Sequence, residues 1–218
     1  MDVTKQIYRA VVTALGLFAL GVQYILGASD GAMLLVWTVN YFSFFTILTN
    51  AIASLALLLP LAAPGSRPGR YFARPAVRTA VAGYIIIVAA VYFLILRHTW
   101  DPQGWQLIAD RMLHYLMPAL FVIDWLLFMP KGVVPWKSVL AALLLPLVYI
   151  VWTLLHGAAT GWYPYPFLDV PRLGYAAVLT NIAGLFLVFF SVGLALVTID
   201  RLLGRIRSGA DAEPTHSR

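Results

Sequence analysis

An all-α integral membrane protein, a bundle of six transmembrane helices with both termini cytoplasmic, is the fold class this sequence predicts. Three observations carry it. Of the 218 residues 61% are hydrophobic and 11% are charged, with a mean hydropathy of +0.85, which leaves too few charges to solvate a globular surface. Six stretches supply the roughly 20 mostly apolar residues needed to cross a hydrocarbon core of about 30 Å. The basic residues alternate between loops: the amino end, the second and fourth loops and the tail hold twelve of the fifteen, against Arg97, Arg111 and Arg172 on the other side. By the positive-inside rule the basic face is cytoplasmic, and in a bacterium the membrane is the cytoplasmic one. The net charge of +6 then reflects topology and some attraction to anionic lipid, and no nucleic-acid partner is expected.

Span one, 8–27, follows Lys5 and Arg9 and ends on small residues near Ala28. This resembles a signal peptide, but its apolar run is long for one, and the charge alternation closes with six spans, so it is read as retained. Span two, 37–62, contains the polar run "NYFSFFTILTN". The connector "APGSRPGRYFARPAVR" mixes Pro, Gly and Arg and leads to span three, 78–96. An outer loop with Trp100 and Trp105, suited to an interfacial belt, precedes span four, 105–129, and span five is 138–156. The loop "HGAATGWYPYPFLDVPR" is too rich in proline for a helix and predicts an outer cap. Span six is 175–201; residues 1–207 form one domain, and 208–218 is expected to be a disordered cytoplasmic tail. The chain has no cysteine, which excludes disulfides, thiolate metal sites and cysteine nucleophiles.

Depth and helical phase select the candidate residues. Counting about 1.5 Å per residue from the outer ends of their spans, Thr46 and His114 both lie roughly 13 Å deep and Asn181 roughly 9 Å, with His156 near the interface. At about 100° per residue, Ser43, Thr46 and Asn50 form one stripe, with Thr49 at its margin. An ionisable side chain facing lipid costs on the order of 3 kcal/mol, so His114 turns inward. A polar chamber opening towards the outer leaflet follows. Asp124 lies about 15 Å along the axis from His114 and about 80° around it, so it does not orient His114; pairing with a base such as Lys131, or with another helix, is the plainer reading.

A hydroxyl is a weak nucleophile until a base takes its proton, and histidine suits that task near neutral pH. Thr46 and His114 at matching depth meet the first condition, and Ser43, Asn50 or Asn181 are candidate oxyanion donors. The sequence has no G-x-S-x-G elbow and no H-E-x-x-H pair, and no metal or cofactor is expected. Without covalent chemistry, the same chamber suits a transporter or a lipid- or solute-binding protein.

The segments "FFTILTN", "LHYLMPALFVID", "YIVWTLLHGAATGWYPYPFLD" and "VLTN", in that order over spans two to six, resemble the androgen-induced gene one and androgen-dependent tissue-factor-pathway-inhibitor-regulating proteins and their six-span bacterial relatives. The most specific piece is Tyr165, Pro166, Phe167 and Leu168 followed by an acid, with His156 and Trp162 upstream. The resemblance implies a membrane threonine hydrolase that cleaves fatty-acid esters such as those of hydroxy fatty acids. It implies Thr46 as nucleophile and His114 as base; the ten-residue step from His114 to Asp124 also resembles the family pattern. Ser43, Asn50, His156 and Asn181 are then expected to line the substrate pocket. The chain departs from the animal proteins at Trp162-Tyr163-Pro164, where their link is shorter, and at His156, where some have a histidine pair.

Overall fold

The computed structural model describes residues 3–28 and 33–212, and every regular element in them is helical. Six helical spans are long and apolar enough to cross a membrane: Val3–Ala28, Phe45–Ala62, Pro75–Leu96, Gly104–Phe128, Lys137–Thr160 and Val170–Ser208. The chain is an all-α multi-pass membrane protein.

The elements in chain order are α1 (Val3–Ala28), α2 (Leu34–Phe42), α3 (Phe45–Ala62), α4 (Arg67–Phe72), α5 (Pro75–Val91), α6 (Gly104–Arg111), α7 (Met117–Phe128), α8 (Lys137–Ala142), α9 (Leu144–Thr160) and α10 (Val170–Ala212). The connector after α3 folds into α4, where Ser66 caps the helix by accepting the Gly69 N–H at 3.0 Å. Pro75 opens α5, where its missing N–H costs nothing. Gly161, at φ 73°, closes α9 in the left-handed conformation. Helix α10 runs to Ala212, so the first part of the expected tail is helical, and 213–218 lies outside the described residues.

A core of Val12, Ala53, Leu57, Ile85, Met117, Phe121 and Trp125 joins α1, α3, α5 and α7. Lipid gives helices little hydrophobic reason to associate, so close approach through small residues matters more than in water. Gly16 shows this: a Cβ there would collide with Ser54 Oγ and the Met117 methyl, so a larger residue would require these two buried side chains to move. A second core, of Phe45, Tyr84, Val88, Tyr149, Ile150 and Leu168, ties α3 and α5 to α9 and the loop before α10.

Asp124 pairs with basic residues of other helices, as expected, although not with Lys131. Fully buried on α7, it accepts Arg9 Nε at 2.6 Å and Arg9 Nη2 at 3.1 Å from α1, and it pairs with Arg78 from α5. Lys131 instead donates to the Trp125 carbonyl at 2.6 Å and lies over that indole. Two of the basic residues assigned to the cytoplasmic face, Arg9 and Arg78, are therefore inside the bundle, where a carboxylate offsets their desolvation.

Candidate active site

The predicted span 37–62 is two helices. Helix α2 ends at Ser43, Phe44 is extended at φ −82°, ψ 125°, and α3 starts at Phe45. Neither proline nor glycine marks the break. Its freed groups are satisfied from elsewhere in the chain, as a low-dielectric interior requires. Tyr149 Oη donates to the Ser43 carbonyl at 2.9 Å, Trp152 Nε1 donates to Ser43 Oγ at 2.9 Å, and the Thr46 N–H donates to Tyr165 Oη at 3.3 Å.

The break decides what the Thr46 hydroxyl can do. A helical threonine normally gives its proton to the carbonyl one turn back, and Thr38, Thr49, Thr160, Thr180 and Thr198 all do so here. One turn before Thr46 the chain has already left α3. Its Oγ1 instead lies 3.3 Å from His114 Nε2, in the first turn of α3, at the positive end of the helix dipole.

His114 sits in a π-helical turn, Met112–Leu116, between α6 and α7. Across from it a second π-turn, Tyr92–Leu96, continues α5. Such turns rotate side chains out of the regular α-helical phase and recur at functional sites. They bring the Tyr92 ring onto the imidazole, with centroids 3.8 Å apart and planes 16° from parallel. His114 Nδ1 lies 2.9 Å from the Asp110 carbonyl oxygen and 3.1 Å from Asp110 Oδ1. Both are acceptors, so the ring proton is assigned to Nδ1 and the Nε2 lone pair faces Thr46. The Tyr92 hydroxyl donates to Asp110 Oδ2, which fixes the carboxylate in turn. The Nδ1 hydrogen bond goes to the Asp110 carbonyl, and the Asp110 carboxylate stands beside the ring as a charge, its Oδ1 without a hydrogen-bond partner; hydroxyl, imidazole and Asp110 thus follow the order of a nucleophile, its base and the base's orienting residue.

These groups open onto a cavity of about 330 Å³ lined by Thr46, Asp110 and His114 together with Gln23, Thr99, Trp100 and Gln106. Trp100, expected in an interfacial belt, faces this chamber. The proline-rich loop folds over it: Pro164 and Pro166 line the chamber while Tyr165 and Leu168 are buried. Tyr165 Oη accepts the Thr46 N–H at 3.3 Å, which sets a phenol beside Thr46. Burial pushes this phenol above its ordinary range, which keeps its proton on at neutral pH.

The other predicted pocket residues have other partners. Asn50 Nδ2 donates to the Thr46 and Leu113 carbonyls at 2.9 and 3.1 Å, tying α3 to the π-turn. Ser43 Oγ donates to the Val39 carbonyl at 2.8 Å and accepts from Trp152. Asn181 Nδ2 donates to the Phe167 carbonyl at 2.9 Å and so holds the cap. His156 stacks on Trp152 at 5.5 Å and meets the edge of Trp162, outside the chamber lining. None of the four side chains is hydrogen-bonded to the Thr46 hydroxyl, whose neighbour is His114 Nε2. Thr49, expected at the stripe's margin, is fully buried. Among the described residues no group of three or more His, Cys, Asp or Glu is placed to hold a metal ion.

The sequence reading does not single out Asp110, and it marks Tyr165 only as part of the Tyr165–Leu168 tetrapeptide, with no place beside Thr46. Asp110 precedes His114 by one helical turn, an i,i+4 spacing that is legible. Tyr165 is far from Thr46 in sequence, and no spacing brings the two together. No family model, curated protein or solved structure matches the chain.

Proposed function

We propose that this chain is an intramembrane hydrolase of lipid esters, with Thr46 as nucleophile, His114 as general base and acid, and Asp110 as the residue that orients His114. The observation that carries the reading is the Thr46 hydroxyl, released from helix back-bonding and 3.3 Å from His114 Nε2. That separation is long for a hydrogen bond, as is common before a substrate compresses the pair. Thr46 Oγ adds to the ester carbonyl and His114 takes its proton. The negative oxygen that develops meets the Tyr165 hydroxyl and the first turn of α3. The bond to the alcohol then breaks, His114 returns its proton to the leaving oxygen, and water releases the acid from Thr46 by the same route in reverse.

The sequence resemblance supports fatty-acid esters, including those of hydroxy fatty acids, as the substrate class, and a membrane setting with both termini on the cytoplasmic side. The test is hydrolysis of such esters by detergent-purified protein. Thr46→Ala and His114→Ala are each expected to reduce turnover by about 10³-fold or more while leaving the melting temperature close to wild type. Unchanged turnover in both variants would overturn the assignment, as would a fluorophosphonate probe that labels another residue.

A further inference from the structure

A second, smaller cavity of about 50 Å³ lies between α3, α5, α9 and α10, and its lining also includes Thr46. Its walls are Val88, Val91, Ile150, Leu185 and Phe186. The two phenols on its boundary already bind the α2–α3 break, Tyr149 at the Ser43 carbonyl and Tyr165 at the Thr46 N–H. Polarity in this slot is therefore concentrated at the Thr46 end. Val91, Leu185 and Phe186 are only partly buried, which leaves the slot open between α5 and α10. His114, Asp110, Gln23 and Gln106 line the larger chamber and not the slot.

Resting on the hydrolase reading above, we infer that the slot binds the acyl chain of the ester and that the larger chamber takes the alcohol portion and the hydrolytic water. The route of the proton fixes which side each portion takes. The group that deprotonates Thr46 must reprotonate the departing oxygen, so the alcohol has to lie on the His114 side of the carbonyl carbon. Water that later cleaves the acyl-threonine must reach the same His114 nitrogen, and the chamber's amides and hydroxyl suit it. The acyl chain then projects to the opposite side of Thr46, where the slot is apolar and continuous with the space between α5 and α10. The acyl-threonine keeps its alkyl chain in the slot while the chamber exchanges alcohol for water.

The experiment uses two ester series with full-length protein in detergent micelles. One holds the alcohol at butyl and lengthens the acyl group from acetyl to palmitoyl; the other holds the acyl group at butanoyl and lengthens the alcohol. In wild type, kcat/KM should rise about fourfold for each methylene added to a short acyl chain while it fills the slot. Val91→Phe and Leu185→Phe, on partly buried positions, should lower the palmitoyl-to-acetyl ratio at least tenfold and leave the dependence of kcat/KM on alcohol length unchanged, whatever they do to the absolute rates. Gln106→Phe should change the dependence on alcohol length and leave that on acyl length unchanged. A changed alcohol-length dependence in the slot variants, or no change in either dependence, would overturn the assignment of chains to cavities. A palmitoyl ester carrying an alkyl diazirine gives a readout independent of turnover. In Thr46→Ala protein it should crosslink, competitively with unlabelled ester, to peptides containing Val91 or Leu185. Slot labelling without hydrolysis by wild type would retain the acyl site and reject the hydrolase; hydrolysis with labelling confined to the chamber would do the opposite.

Discussion

Two aspartates on one continuous helical span, Asp110 and Asp124, are both buried, and their surroundings differ in kind. Asp124 is held by two guanidinium groups, Arg9 and Arg78. Asp110 faces an imidazole and a phenol and lies on the wall of the larger cavity. A carboxylate saturated by guanidinium cations can only hold helices together. One given a titratable partner with access to a ligand can pass on the effect of a proton. The difference in partners separates a structural acid from one suited to catalysis, even though burial is nearly the same.

The largest effect should come from removing the structural acid. Asp124→Ala leaves two buried arginines without a counter-charge and should cost about 3–5 kcal/mol, read as a lower melting temperature and a smaller folded yield in detergent. Replacing all three partners with apolar residues of similar size should recover most of that loss. Wild-type melting in the single variant would remove the distinction. Asp110→Asn should behave in the opposite way: near-normal melting, with turnover lower by about 10²–10⁴-fold because the imidazolium loses its counter-charge. If instead it unfolds the protein and the surviving molecules turn over normally, Asp110 belongs with Asp124.

The six spans are legible because hydropathy is averaged over many residues and tolerates local irregularity. The site is less so, because it is built from the irregularities. The α2–α3 break has no proline or glycine to announce it; it exists because Tyr149, Trp152 and Tyr165, remote in sequence, satisfy its backbone and hydroxyl groups. Matching depth was enough to pair Thr46 with His114 as candidates. The acid beside His114 is not legible in the same way: the resemblance points to the ten-residue spacing of Asp124, whereas Asp110, one turn before His114, is the acid in contact with it. Asn50, Ser43 and Asn181 are polar at the right depth, but depth does not reveal that backbone carbonyls already occupy their donors.

Around Asp110 and His114 the effects should grade downward with the number of groups between the change and the reacting atoms. Tyr165→Phe removes the hydroxyl nearest Thr46 and should lower turnover by about 10²-fold, with KM for the ester little changed since the lost contact is made to the developing oxyanion. An equal rise in KM with unchanged kcat would make Tyr165 a ground-state contact instead.

Tyr92→Phe is the finest test of the contrast. It keeps the ring stacked on His114 and deletes only the hydroxyl that fixes Asp110 Oδ2. A single hydrogen bond of this kind contributes about 1 kcal/mol to stability, so melting should fall by only about 2–4 °C, and a comparable loss in the positioning of His114 should lower turnover by roughly three- to tenfold. Tyr92→Leu deletes the stack as well and should fall further. In the Asp110→Asn background the Tyr92→Phe change should have little added effect on turnover, because the hydroxyl acts through the carboxylate charge. Full additivity would mean that Tyr92 acts on His114 through its ring alone, and the hydroxyl–carboxylate contact would then belong with the structural pairings around Asp124.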